Sequence, residues 1–545
     1  MTSPTSSEAP QKTPWWRGAA IYQIYPRSFA DSNGDGVGDL AGITAHLDHV
    51  AALGVDAIWI SPFFTSPMKD FGYDVSNYCD VDPIFGTLAD FDALVSRAHD
   101  LGLRVIVDQV YAHTSDQHSW FAESRSDRTN PRADWYVWVD PRPDGTPPNN
   151  WQSVFGGPAW TWDARRGQYY MHTFLKEQPQ LNVHLSQVQE ALLDTARFWL
   201  DRGVDGFRLD ALNHAMADPL LRDNPSAPDD GSPRTRPFDF QIKLHSQSQP
   251  GMVDFIEKIR LVCDAYGAVF TVAEVGGSDA ETEMKAFTAG SNRLSSAYGF
   301  DFLYAPALTP ELVAEAMAVW TGEPGSDVAA QGWPSWAFEN HDAPRAVSRW
   351  AACEDRDTFA AMKILLLVSL RGNVILYQGE ELGLEQDDIP FELLQDPEAI
   401  ANWPLTLSRD GVRTPMPWRA DAPHGGFTTG TPWLPMGEAN LARAVDRQAN
   451  DPASLLALTR AALALRRVHP ALRFGAFDLL HADGAVLAFA RSTAEQGLVC
   501  VFNLAPEAVS WPAGLAKAGR TIASANGGRR GQLPAYAAVL FEAEI

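Results

Sequence analysis

Short apolar runs alternate along this chain with longer stretches in which apolar residues recur every three to four positions. The runs at 19–25, 57–60, 104–110, 206–209, 269–273, 294–302, 336–338 and 374–377 predict strands, 294–302 being the least regular. The stretches at 43–53, 90–101, 187–200, 253–266, 280–287, 311–320, 358–370 and 453–467 carry the helical period. Strand and helix in this alternation predict an α/β protein with a parallel sheet under covering helices. Eight such pairs predict a (β/α)8 barrel.

The rhythm stops at Tyr111 and resumes near Gln187. The interval is rich in Trp, Pro, Asn and Gly and is too long for a bare loop in a compact protein, so it predicts a subdomain inserted after strand three. Beyond Pro470 the texture changes to short alternating segments at 485–490, 497–502 and 537–542. These predict an antiparallel β domain. The expected division is barrel at 1–112, inserted subdomain at 113–172, barrel again at 173–468 with an extended loop near 379–430, and a C-terminal β-sandwich at 469–545. The Asp/Pro/Ser stretch at 222–237 reads as a further long loop.

In such a barrel the reactive groups gather at the C-terminal ends of the strands. Asp210 closes Gly206-Phe207-Arg208-Leu209-Asp210, Glu274 follows the apolar run ending at Ala273, and Asp342 stands behind Phe338-Glu339-Asn340-His341. One Asp after a strand is more often a cap or a turn residue; three carboxylates on one rim suggest chemistry. Two carboxyls in one pocket cleave glycosidic bonds. Arg208, two residues before Asp210, shares its face of the strand and favours the ionised carboxylate. Asp210 is therefore the expected nucleophile. Glu274, with the longer reach toward a leaving oxygen, is the expected acid. Asp342 is expected to stabilise charge on the sugar and to hold its hydroxyls.

Composition narrows the substrate. The 18 Trp, 13 Tyr and 27 Phe fill a large core, and many also lie in Gly/Pro-rich stretches where ring faces can meet sugars. A net charge of -25 repels phosphate backbones and anionic lipid surfaces. Nucleic acid and membrane partners are not expected; a small neutral substrate is. The four cysteines are dispersed without a Cys-x-x-Cys pair, which signals neither a zinc site nor a disulfide framework. Residues 1–14 lack the apolar core of a secretory signal, and no run reaches the roughly 18 apolar residues of a membrane span. A cytoplasmic monomer or homodimer is the expectation.

Asp31-Ser32-Asn33-Gly34-Asp35-Gly36-Val37-Gly38-Asp39 places oxygen donors at alternate positions with glycine at the sixth, the pattern of a hard-cation loop. The twelfth position is Gly42, so the bidentate Glu of a full EF-hand is missing. A plain Asp/Gly turn is the alternative reading.

Taken together, these strings resemble the α-amylase superfamily of retaining glycoside hydrolases, in particular its α-glucosidase and oligo-1,6-glucosidase branch. The likeness runs from about Trp15 to the C-terminus. Its nucleophile, acid and stabiliser strings are matched at Asp210, Glu274 and Asn340-His341-Asp342. The third-strand string is matched at Asp108 to His113, and the short motif near the end of the inserted domain at Gln178-Pro179-Gln180-Leu181-Asn182. Ala112 stands where the family usually has Asn, and Gln180 where it commonly has Asp.

The resemblance implies a TIM-barrel α-glucosidase with transglucosylating capacity. It implies sugar contacts from Asp70, Tyr73, His113, Arg208, His341 and Arg413, with an Asp70–Arg413 ion pair walling off the terminal glucose. Phe155 and Phe174 match apolar positions flanking the bond, and either could instead belong to the core. Small Ala211, after the nucleophile, goes in this branch with α-1,4 linkages, and Val with α-1,6. A structural Ca²⁺ or Mg²⁺ is implied at Asp31, Asn33, Asp35, the Val37 carbonyl and Asp39. Alternatives within the superfamily are a sucrose- or trehalose-acting transferase or isomerase, or a non-catalytic relative that kept the fold.

Overall fold

The computed structural model describes residues 13–229, 231, 234–277, 279–321, 332–515 and 519–543. Eight parallel strands form one sheet: β1 (Ala20–Ile24), β2 (Ala57–Ile60), β3 (Arg104–Val110), β4 (Gly206–Asp210), β5 (Phe270–Glu274), β6 (Ser296–Tyr298), β7 (Ser335–Trp336) and β8 (Asn373–Tyr377). Their order is β6-β5-β4-β3-β2-β1-β8-β7, and a parallel bridge between Ala297 and Pro334 joins the two ends into a barrel. Ser296 and Ser335 seal that seam through hydroxyls 2.7 Å apart.

Side chains alternate across each strand, and the alternation sorts the core. Ile21, Trp59, Ile106, Phe270, Val272, Tyr298 and Ile375 pack inside the barrel. Tyr22, Val105, Val107, Phe207, Leu209 and Ala273 pack outward against the helices. Counting by twos from Phe270 through Val272 places Glu274 on the inner face at the strand's C-terminal end. Ile106 likewise leads to Asp108, and Gly206 through Arg208 to Asp210. The pleat alone thus delivers three carboxylates and a guanidinium to one mouth.

The covering helices are α1 (Leu40–Leu53), α2 (Leu88–Asp100), α3 (Ser186–Asp201), α4 (Met252–Ala265), α5 (Ala280–Thr288), α6 (Pro310–Thr321), α7 (Arg356–Ser369) and α8 (Leu455–Val468). Their ends follow local chemistry. The Asp39 carboxylate accepts from Gly42 N at 2.6 Å to cap α1, which ends on Gly54 at φ 89°. Thr87 and Asp90 form a capping box on α2. None of the described helices is long and apolar enough to cross a membrane.

The insertion after β3 holds a helix (Ser119–Ser126) and a three-stranded antiparallel sheet (Trp138–Val139, Trp160–Asp163, Gln168–Met171). Bridges His113–Gln180 and Tyr136–Leu181 fasten it to the barrel mouth, so its backbone pairing continues beyond residue 172.

At the C-terminus β9 (Ala476–Asp483), β10 (Val486–Ser492), β11 (Gly497–Asn503), β12 (Thr521–Ala525) and β13 (Ala538–Ala543) make one antiparallel sheet, ordered β9-β10-β11-β13-β12. The expected sandwich is therefore a single sheet among the described residues. One face, with Leu487, Phe489 and Leu540, joins the main core. The other, with Val486, Val499, Val501 and Phe541, is covered by Leu533, Trp511 and Leu515 from irregular segments, which take the place of a second sheet.

Candidate active site

Arg208 organises the barrel mouth. It is fully buried, and its Nη1 donates to Asp108 Oδ1 at 2.8 Å and to Asp210 Oδ1 at 2.5 Å. Its Nη2 lies 2.7 Å from Glu274 Oε1, and Nε and Nη2 donate to the Tyr298 hydroxyl at 3.1 and 2.9 Å. Tyr298 in turn donates to Glu274 Oε1 at 3.1 Å, and Ala211 N donates to Glu274 Oε2 at 3.2 Å. Asp210 and Glu274 thus stand on either side of one planar guanidinium, each held by a charge-assisted contact.

Three carboxyls around one cation leave negative charge in excess, and the proton affinities reflect that. Burial pushes the Asp108 carboxyl up to about 6 despite the pull of Arg208. Burial also pushes Asp210 well above the usual carboxylate range; Arg208 opposes this, while Glu274 and Asp108 add to it. The attraction of Arg208 alone would lower it. Enclosure at the strand's end outweighs that attraction in the substrate-free cluster.

Asp342 faces the opposite balance. Burial disfavours its carboxylate, but contacts with His341, Arg413 and Arg409 more than offset that and hold it well below the usual range. Arg413 Nη2 donates to Asp342 Oδ1 at 2.6 Å, Arg409 Nη1 at 3.3 Å, and His341 Nε2 lies 3.2 Å from Oδ2. His341 stacks on Tyr73 with ring centres 5.5 Å apart, and its Nε2 lies 2.6 Å from the Tyr73 hydroxyl. Burial lowers the His341 pKa to about 3 and that of His113 to about 4, so both rings are neutral at pH 7.

The anticipated Asp70–Arg413 pair is replaced by another. Arg409 Nη2 donates to Asp70 Oδ1 at 3.2 Å and to Asp396 Oδ1 at 2.8 Å. Arg413 is instead committed to Asp342 and, through Nε at 2.7 Å, to the His341 carbonyl. Gln178 Nε2 donates to Asp70 Oδ2 at 3.1 Å and lies at the same distance from His113 Nε2. Burial raises the Asp70 carboxyl to about 6 against the pull of Arg409 and Arg413.

These groups border a cavity of about 560 Å³ lined by Asp70, Tyr73, His113, Phe155, Phe174, Asp210, Glu274, Asp342 and Arg409, among others. Phe155 and Phe174 lie 5.7 Å apart between ring centres, with the Arg409 guanidinium 5.0 Å from the Phe155 ring. Arg208, His341 and Arg413 stand behind the lining and hold its carboxylates. Ala211 adopts left-handed backbone at φ 39°, which aims its N–H at Glu274.

Among the residues of this site that carried no assigned role in the sequence are Asp108, Tyr298 and Arg409. Asp108 lay within a quoted string. Tyr298 ends the irregular sixth strand, and Arg409 sits in a loop without pattern. For Asp108, strand parity was the available signal.

The loop 31–39 lies apart from the cavity. Its side chains accept amides two residues on: Asn33 N to Asp31, Asp35 N to Asn33 and Val37 N to Asp35, each at 2.9 Å. Asp39 Oδ2 takes Ser32 N at 2.9 Å, and Thr428 donates to Asp31. Among the described residues no three His, Cys, Asp or Glu side chains converge as metal ligands. The oxygens suit a hard cation in kind, but as they stand they serve the loop's own amides.

Residues 23–475 match the family model described as alpha amylase, catalytic domain. A probable alpha-glucosidase of Rhizobium meliloti is 52% identical over 517 residues, covering 94% of this chain and 93% of that protein. An oligo-1,6-glucosidase of Heyndrickxia coagulans is 37% identical over 541 residues, covering 92% and 94%. Among solved structures, an alpha-glucosyl transfer enzyme superposes with a TM-score of 0.92 at 48% identity, covering 98% of this chain and 100% of that one. The trehalulose synthase of Pseudomonas mesoacidophila superposes with a TM-score of 0.88 at 30% identity, covering 98% and 100%.

Proposed function

This chain belongs to the α-amylase catalytic-domain family, and from that premise we propose that it is a retaining, exo-acting α-glucosidase that cleaves terminal α-1,4-linked glucose. The observation that carries the reading is the pair Asp210 and Glu274 on opposite arms of the Arg208 guanidinium, both facing one cavity. In the reaction Asp210 attacks the anomeric carbon while Glu274 passes a proton to the leaving oxygen. The bond from the anomeric carbon to that oxygen breaks as the bond to Asp210 forms. Glu274 then takes a proton from water or an acceptor hydroxyl, whose oxygen displaces Asp210 and returns an α-product. Positive charge developing on the sugar favours ionised Asp210. Asp342, kept anionic by its two arginines, faces the same developing charge.

Asp70 and Arg409, tied to each other, with Gln178 holding Asp70 from the other side, support exo action by closing the cavity behind the terminal glucose. Transfer to acceptor alcohols follows where an acceptor outcompetes water at the glucosyl-enzyme. The relation to a trehalulose synthase supports a second reading, an enzyme that rearranges sucrose. Incubation with maltose, isomaltose and sucrose, followed by proton NMR, separates the two. Glucose release, with maltose preferred to isomaltose, is expected; a sucrose isomer as main product contradicts the hydrolase reading.

Ala211→Val is expected to move the maltose-to-isomaltose ratio of kcat/KM toward isomaltose. Valine at φ 39° also carries backbone strain, so the ratio and not either rate is the readout. An unchanged ratio contradicts control of linkage at this position.

The 31–39 loop supports a separate structural proposal. Carboxylate and carbonyl oxygens retain lone pairs beyond those given to amides, so Asp31, Asn33, Asp35, the Val37 carbonyl and Asp39 would hold Ca²⁺ or Mg²⁺ and pin the segment between β1 and α1. Chelator-treated protein is expected to gain several degrees of Tm on addition of calcium, by linkage of binding to folding. An equal Tm with and without calcium contradicts it.

A further inference from the structure

Among the described residues, one cation at the cavity stands without a counter-ion. Lys243, in the loop after β4, is half-buried and lines the cavity beside Thr235, Phe238, Gln247 and Phe300. Among the described residues its ammonium makes no ion pair and no hydrogen bond; it lies over the face of Phe238, 4.2 Å from the ring centre. The anions nearby are already engaged. Arg236 holds Asp239 at 3.0 Å and Glu398 at 2.9 Å.

The loop's position says which part of a substrate would meet this charge. Gln247 Nε2 donates to the Gly276 carbonyl at 2.8 Å, two residues beyond Glu274. Lys243 therefore stands on the flank of the acid, where a leaving group departs and an acceptor enters. The surroundings there are apolar and aromatic: Phe238 and Phe300 line the cavity, as do Tyr304, Leu405 and Leu407, which are 54%, 66% and 65% exposed.

A half-buried ammonium that lacks a partner is costly, and burial lowers the Lys243 pKa despite the opposing charge of Asp239. An anion arriving with the substrate would offset that cost. In a chain of net charge -25, an ammonium without an ion pair at this edge opposes the general repulsion of anions locally.

We propose that Lys243 forms an anion subsite on the leaving-group side, and that the enzyme recognises aromatic leaving groups and acceptors that carry a carboxylate. The ring packs against Phe238 and Phe300 while the carboxylate meets the ammonium. This deepens the α-glucosidase reading and rests on it. The neutral class expected from composition then applies to the glucose end, and the aglycone end selects for charge.

The test compares 4-carboxyphenyl α-glucoside with its neutral primary amide in wild type, Lys243→Met and Lys243→Arg. Lys243→Met is expected to lower the carboxylate-to-amide ratio of kcat/KM about tenfold, the scale of one charged contact, with the change in KM. Lys243→Arg is expected to keep most of the ratio. A ratio unmoved in Lys243→Met overturns the subsite, and an equal fall in both variants overturns it as well, because the loss would then follow packing and not charge. A parallel arm compares trehalose 6-phosphate with trehalose. An effect of Lys243→Met confined to that pair overturns the aromatic carboxylate in favour of a sugar phosphate. Wild type that cleaves neither aryl glucoside removes the α-glucosidase reading itself, and the subsite with it.

Discussion

Asp210→Ala is expected to lower kcat by a factor on the order of 10⁴ or more, given the total accelerations enzymes achieve. Neither Asp108 nor Asp342 is free to replace it at the anomeric carbon. Asp108 is bound to the same Arg208 nitrogen but is fully enclosed and takes no part in the cavity lining. Asp342 is held by Arg413 and Arg409. Azide, small enough for the space a missing carboxylate leaves, is expected to restore part of the rate of the alanine variant on an activated aryl glucoside and to give the β-glucosyl azide. A variant within tenfold of wild type, or an α-azide product, contradicts Asp210 as nucleophile.

The second large effect is on folding. Arg208→Met leaves Asp108, Asp210 and Glu274 without their shared cation in a buried site. Breaking a buried ion pair from one side costs about 3–5 kcal/mol, and the expected loss of stability lies in that range at neutral pH. The pH dependence follows from the carboxyls. Asp108 already has a folded-state value near 6, against about 3.9 in an unfolded chain, and removal of Arg208 raises it further. A carboxyl shifted upward stabilises the fold fully only below its unfolded value, and that contribution is lost as pH rises through the folded one. The Tm deficit of the variant is therefore expected to be smaller at pH 5 than at pH 8. Thermal unfolding at both values checks this, and an equal deficit contradicts the charge account. Arg208→Lys keeps a charge but loses the planar fork that holds two carboxyls at once. Its stability is expected to recover more than its kcat.

Most of the barrel could be read from the chain because its strands are buried on both sides, so their apolar runs are nearly continuous and bounded by helical period. β2 and β3 fall where the pattern puts them. Asp210, Glu274 and Arg208 were legible for the same reason, since the pleat fixes which residues at a strand's end face inward. Tyr298 was not, because β6 is only three residues long (Ser296–Tyr298) in a stretch of Ser, Asn and Gly. Arg409 was illegible for a different reason. Its partner Asp70 is 339 positions away, and no local spacing encodes a contact between two loops. The edge strands β9 and β12 escaped because β9 is largely exposed and β12 is a short run of small residues, so neither shows a continuous apolar stripe. The direction of the Asp210 shift was missed as well. A sequence reports that an arginine is close, but not how completely the site is enclosed.

The central claim is that Asp210 bonds to the sugar while Glu274 works from the leaving-group side, which requires the two carboxyls to be about 5–5.5 Å apart. The most direct measurement is proton NMR of the first glucose released from a neutral aryl α-glucoside, recorded before mutarotation scrambles the anomers. Two successive inversions predict α-glucose. Initial β-glucose would mean that water attacked the anomeric carbon without a glucosyl-enzyme, and the account given for Asp210 would be wrong.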